Sequence, residues 1–178
     1  MIGRMRAQKL LPAVACFGFA VLVTPTFAQQ PPSVALLGID FQNDNEAHEP
    51  TSAAERERLE QLGVEFRTAL EQSGQFAVKR VPDALAAQIS AGQTLGACGG
   101  CEIDYGAQLA VDEVAWINVQ KVSNLILNLN VYMADVRDGK MTFVRSVDIR
   151  GNTDETWTRS LSYLIRNYLL PDRKAPQG

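Results

Sequence analysis

Two cysteines three positions apart, Cys98-Gly-Gly-Cys101, are the residues of this chain best suited to chemistry. A CxxC pair at the start of a helix can lower a thiol's pKa and support disulfide exchange. The flanks favour a simpler role. No aromatic residue directly precedes Cys98, and no proline sits just before any of the last three expected strands, so the surroundings of a thioredoxin-like redox site are missing. The pair reads instead as a small disulfide stapling the Gly99-Gly100 turn to the next helix. A zinc site needs four ligands, and the chain can add only His48 and carboxylates. Haem attachment through CxxCH needs a histidine at position 102, where Glu102 stands. No metal or cofactor is expected.

The single histidine, His48, lies in an acidic stretch from Asp40 to Glu49. Such a stretch could hold a cation or present a general base, but it lacks the glycine that an EF-hand loop places at its sixth position. It reads as a solvated loop after a buried strand. No serine can be paired with a histidine, no nucleophile elbow is present, and no glycine-rich phosphate loop opens a helix. The remaining candidate is a surface. Asn128, Asn130 and Tyr132 alternate along one face of an expected strand. With Arg145 and Trp116 they would make a polar-aromatic patch for a partner, or simply the wetter side of an antiparallel sheet. Asp148, Arg150, Asn152, Asp154 and Trp157 gather before the last helix, where an ion pair and a helix cap account for them.

The elements that carry these residues follow from periodicity. Val34–Ile39 is a continuous apolar run and reads as a strand buried on both faces. Asp40–Pro50 is expected to be a loop. Ser52-x-x-Glu55 is a capping box; it opens a helix to about Ser73, with Leu59, Leu62, Phe66 and Leu70 inward and Gly74 as the stop. A strand over Phe76–Val81 and a helix from Pro82-Asp83 to Ala91 follow, then a short helix from Cys101 to Leu109. Three strands come next: Glu113–Lys121, Leu125–Val136 and Thr142–Arg150. Leu125, Leu127, Leu129, Val131 and Met133 share one face of the second, and Asp138-Gly139 turns it into the third. Asn152, with Glu155 at the box position, is expected to cap a final helix lined by Trp157, Leu161, Leu164, Ile165 and Tyr168. The order β-α-β-α-α-β-β-β-α predicts an α/β (α+β) fold, a mixed sheet with helices packed on it.

The first 28 residues read as a cleavable signal peptide. Arg4, Arg6 and Lys9 precede an apolar run from Leu10 to Val23, and Thr26-Phe27-Ala28 offers small residues for a cut before Gln29. The run is shorter than the ~20 residues of a spanning helix. Residues 29–33 read as a mobile lead-in, 34–171 as one α/β domain and 172–178 as a polar tail. Removing the peptide takes three of 17 basic and none of 20 acidic residues, which leaves a net charge of −6. That excludes the basic footprint of a nucleic-acid binder. Cys16 departs too. Cys98 and Cys101 are then the only cysteines, in an oxidising periplasmic or extracellular compartment.

Val34–Asp40, the helix closing in Ser73-Gly74-Gln75-Phe76 and the later hairpin resemble the amino-terminal domain of TolB, an α/β module of the bacterial envelope. Cys98-Gly-Gly-Cys101-Glu102, Lys121-Val-Ser-Asn-Leu-Ile-Leu127 and the segment Ser146–Trp157 resemble an uncharacterised family of secreted proteobacterial proteins, a domain of unknown function, over nearly the whole exported chain. The resemblance implies a TolB-like fold in the envelope and names no activity. Three functions remain open: a non-enzymatic module for partner binding or envelope assembly, a thiol-disulfide redox accessory using the CxxC pair, and a small-ligand carrier with a pocket between sheet and helices.

Overall fold

The computed structural model describes residues 30–171. The expected signal peptide and the polar tail lie outside these residues. One five-stranded sheet is built from β1 (Ser33–Asn43), β2 (Ala77–Val78), β3 (Glu113–Ser123), β4 (Ile126–Asp135) and β5 (Met141–Arg150), in the spatial order β2-β1-β3-β4-β5. β1 runs parallel to both β2 and β3; β3, β4 and β5 form an antiparallel meander. The helices are α1 (Ala53–Ser73), α2 (Asp83–Ala91), α3 (Cys101–Leu109) and α4 (Asp154–Leu164), and a π-helical turn over Ile165–Leu169 extends the last. The fold is the expected mixed sheet with packed helices, in the expected order. Among the described residues no helix is long and apolar enough to cross a membrane.

The two faces of the sheet are covered differently. On the first, α1 and α4 bury Leu62, Phe66, Leu70, Trp157, Leu161 and Leu164 against Ala115, Ile117, Val119, Leu127, Leu129 and Val131. On the second, α2, α3 and the loop between them cover only Ala35, Leu37, Val114, Trp116 and Ala134, toward one end of the strands. α3 can lie this close because residue 106 is glycine: a Cβ there would fall 2.5 and 2.7 Å from methyls of Val136 and Val114. The interval between the sheet and α1/α4, one place for a carried ligand, is filled by Phe66, Trp157, Leu161 and Leu164, each at most 2% exposed.

Several local expectations need correction. β1 does not stop at Ile39: it pairs with β3 as far as Asn43, because Phe41 still faces inward and meets the Trp157 ring at 6.0 Å. β2 keeps two residues of the expected six, since it is an edge strand paired only at Ala77 and Val78. Leu125 belongs to the β3–β4 turn and is 74% exposed, so the buried row of β4 begins at Leu127. α4 is capped by Thr153 with Thr156 in the box position, in place of Asn152 and Glu155. The Asn152 side chain is engaged elsewhere, as described below. Tyr168 leaves the inner line of the helix because the π turn rotates it outward, where it is 40% exposed.

Candidate functional site

Strand register lays out the part of the second face that α2 and α3 leave open. One cross-strand row holds Gly38, Trp116, Tyr132 and Val144; the next holds Asp40, Asn118, Asn130 and Ser146; the next holds Gln42, Gln120, Asn128 and Asp148. Behind the β3 and β4 members lies an opposite face that is apolar except for Lys121, so the alternation that builds the core also fixes this floor. Asn130 donates to the Asn118 carbonyl at 3.3 Å, and the Gln120 amide reaches the Asp44 carboxylate at 3.2 Å. Half-buried amides keep unused donors and acceptors. The floor can therefore take hydrogen bonds of either sense.

Of the residues expected to form a partner surface, the structure brings together Trp116, Asn128, Asn130 and Tyr132 and separates Arg145. Trp116 and Tyr132 stack at 5.4 Å with ring planes 14° apart. Trp116 itself is 5% exposed, and the loop closes on it at Gly96, where a Cβ would fall 3.2 Å from the indole nitrogen. Tyr132 is thus the accessible member of the stack. Arg145 pairs with Val131, a core residue, so it points to the opposite face. There its guanidinium lies 5.0 Å from the centre of the Tyr168 ring. Asp40, expected in a loop, joins the floor instead. Its Oδ2 is buried without a hydrogen-bond partner among the described residues. Burial pushes this carboxyl up, opposed by a bond from the Leu95 N–H. Beside it α2 and the loop Gly92–Leu95 shape a cleft of about 310 Å³.

The two cysteine sulfurs lie 2.02 Å apart, with Cα atoms 5.6 Å apart, at the start of α3. Gly99 and Gly100 take φ values of +70° and +110°, a region that favours glycine. Glu102, 5% exposed, accepts from the Gly96 N–H and so ties the same loop down over Trp116. Cys98, Cys101 and Glu102 place three ligand atoms within 4.8 Å of one another. A bonded cysteine pair supplies no thiolate, and three ligands fall short of a structural zinc set. His48 is exposed, and its loop is held by the Asn43, Glu46 and Thr51 side chains.

Sequence reasoning missed a buried polar node on the first face. Lys121 continues the inward register of Ala115, Ile117 and Val119, and it is 2% exposed. Its Nζ donates to Glu55 Oε1 at 2.7 Å. The same carboxylate closes the α1 capping box by accepting from the Ser52 N–H and Oγ at 2.7 and 2.8 Å, and it accepts from Asn152 Nδ2 at 2.7 Å. Asn152 in turn accepts from Trp157 Nε1 at 3.0 Å. The node ties α1, β3 and the start of α4 together. Its signal was present: Lys121 falls two residues after Val119 on an alternating strand, and Glu55 was already placed by its box.

Burial pushes the Glu55 carboxyl up, but the bonds from Lys121, Ser52 and Asn152 outweigh it and hold the pKa at about 2 against an ordinary 4.5. A lowered folded-state pKa stabilises above the ordinary value and loses that contribution as pH falls through the lowered one. The acid limb between those two values should therefore remove up to about 3 kcal/mol of stability. Urea melts of the native chain and Glu55→Gln across this range check it. The difference between them should shrink toward pH 2; a pH-independent difference would contradict the assignment.

Residues 32–169 match the family described as "Protein of unknown function (DUF2380)", DUF3280. The chain belongs to this family. No curated protein matches it in sequence. Among solved structures, this DUF3280 chain resembles the LpoB C-terminal domain from Salmonella enterica, at 14% identity and a TM-score of 0.48, over 70% of this chain and 86% of that one. It also resembles lipoprotein GNA1162 from Neisseria meningitidis, at 15% identity and a TM-score of 0.49, over 78% and 99%. TolB from Acinetobacter baumannii aligns at 14% identity and a TM-score of 0.42, over 78% of this chain and 29% of that one.

Proposed function

We propose that this DUF3280 chain is exported, loses residues 1–28, and acts in the periplasm or outside the cell as a non-enzymatic module that binds a protein partner of the envelope. Residues 34–171 form its single domain. The observation that carries the reading is the half-covered second face: a floor of Asn118, Gln120, Asn128 and Asn130, edged by Tyr132, stands open where the first face is sealed by two helices. The buried residues Glu55, Lys121 and Glu102 support a non-enzymatic role, because they are engaged in bonds that hold elements in place; the buried Asp40 Oδ2 is the exception. The disulfide fits the same reading as a staple for the loop that covers Trp116. Export is supported by the basic head, apolar run and small residues before Gln29.

Photo-crosslinking in the producing cell tests it. A benzophenone side chain at position 128 should give one discrete adduct, and the same group at Val64, exposed on the far side of α1, should give none. Equal adducts from both positions, or none from position 128, would sink the open-face assignment.

A further inference from the structure

β5 ends the sheet, and among the described residues no strand pairs with its outer side. Gly151 donates to the Leu125 carbonyl at 3.1 Å, and the β4–β5 register then runs without a shift from Arg150 to Phe143. In an antiparallel pair the bonding direction alternates by residue. Phe143, Arg145, Val147 and Ile149 therefore turn their peptide groups to β4, and Val144, Ser146, Asp148 and Arg150 turn theirs outward. The Asp148 carbonyl accepts from Ser160 Oγ at 3.0 Å. The outward N–H and C=O of Val144 and Ser146 bond to no described residue. Exposed edges are usually blunted by proline, charged side chains, a short strand or a covering element; this ten-residue strand has no proline, its register shift falls beyond Phe143, and its charges, Arg145, Asp148 and Arg150, leave the stretch around Arg145 for a segment of opposite charge. Beside it stands an aromatic shelf. Tyr163 and Tyr168 meet edge to face at 5.8 Å and are 47% and 40% exposed, with Arg145 over Tyr168. Arg145 makes no ion pair with a described acid.

We propose that the β5 edge takes up an extended segment of the partner protein, with an acidic side chain opposite Arg145. This rests on the partner-binding reading above. A second copy of the chain fits the edge poorly. Antiparallel pairing with another β5 centred on Arg145 sets that charge against itself. Pairing centred on Val147 sets Asp148 diagonal to its own copy, and pairing centred on Ser146 sets Arg145 and Asp148 against valines and Arg150 against Thr142. Pairing centred on Ile149 would set Asp148 against Arg150, but there the Asp148 carbonyl is already taken by Ser160. Like charges facing across strands destabilise, and opposite charges stabilise by similar amounts. An incoming segment with a carboxylate at this position gains both the open peptide groups and the missing counter-charge, which is strand addition in its usual form.

Two fluorescein-labelled peptides of alternating Thr and Val, one with a central Glu and one with a central Lys, test this on the purified protein by anisotropy. The Glu peptide should bind about fivefold tighter than the Lys peptide. Arg145→Glu, an exposed substitution checked by its melting temperature, should reverse the preference. Hydrogen exchange at the Val144 and Ser146 amides should slow on binding. Absence of binding, absence of a charge preference, or protection elsewhere would overturn the proposal, as would a concentration-dependent dimer with protected β5 amides. A partner adduct at position 128 with no charge-dependent strand addition at β5 would overturn it and leave the open-face reading standing. Strand addition without that adduct would support the edge and sink the open face.

Discussion

Replacing Lys121 with Met should cost the fold about 3–5 kcal/mol, the range found when one member of a buried ion pair is removed. The substitution leaves the Glu55 carboxylate, 1% exposed as a residue, without its only cationic partner at hydrogen-bond distance among the described residues. Glu49 would not rescue it, because Glu49 is itself an acid, 3.6 Å from the same Nζ. The paired change Lys121→Met with Glu55→Gln should recover most of the loss. Glu55→Gln keeps one oxygen to accept at the capping box, gives up the bond from Asn152 Nδ2 to the second oxygen, and strands no charge. Urea denaturation of the four chains as a double-mutant cycle measures the coupling. Additive losses would show that the node contributes through packing alone.

Leu129→Asp should be more damaging still, by at least about 4 kcal/mol, because it buries an unpaired carboxylate in the apolar face. Leu129 is 0% exposed between Val119 and Val147, under α1 and α4. Loss of a cooperative melt at 25 °C, or a fall in the urea midpoint to near zero, is the expected result. Ser146→Thr, an exposed change on the opposite face, should stay within about 0.5 kcal/mol. A melting temperature unchanged by Leu129→Asp would mean that the faces of β4 are reversed.

The contrast between these two residues also shows which parts of the molecule could be read from sequence. From Leu127 on, β4 alternates cleanly, with leucine, valine and methionine against asparagine and tyrosine, so its two faces follow from the sequence without any knowledge of its neighbours; Leu125 alone falls outside the row. β5 is less clean: Arg145 interrupts the apolar row Phe143, Val147 and Ile149, and its pairing with Val131 is what places it on that face. Arg145 was therefore grouped with the wrong surface. Lys121 escaped notice for a related reason. A lysine after Val119 looks like the solvated end of a strand, and its burial depends on Glu55, 66 residues earlier in the chain. Asn152 is a good helix cap by residue type, but its amide is drawn inward by Glu55 and the Trp157 indole, and Thr153 caps α4 instead. Local pattern specified the elements and most of the core. Long-range polar contacts and strand register had to come from the fold.

The open second face is the centre of this account, and Asn130→Arg tests it most directly. Asn130 sits in the middle of the amide floor with its neighbours Asn118 and Ser146. Its side chain points away from the core, so arginine should leave the melting temperature unchanged while it blocks the floor. The affinity for the protein captured at position 128, measured with purified components, should fall at least about tenfold, as for a central contact of an interface. Val64→Arg on α1 should leave that affinity unaltered. Full-strength binding by Asn130→Arg with its fold intact, or an equal loss from Val64→Arg, would contradict the claim that the open sheet face is the binding surface.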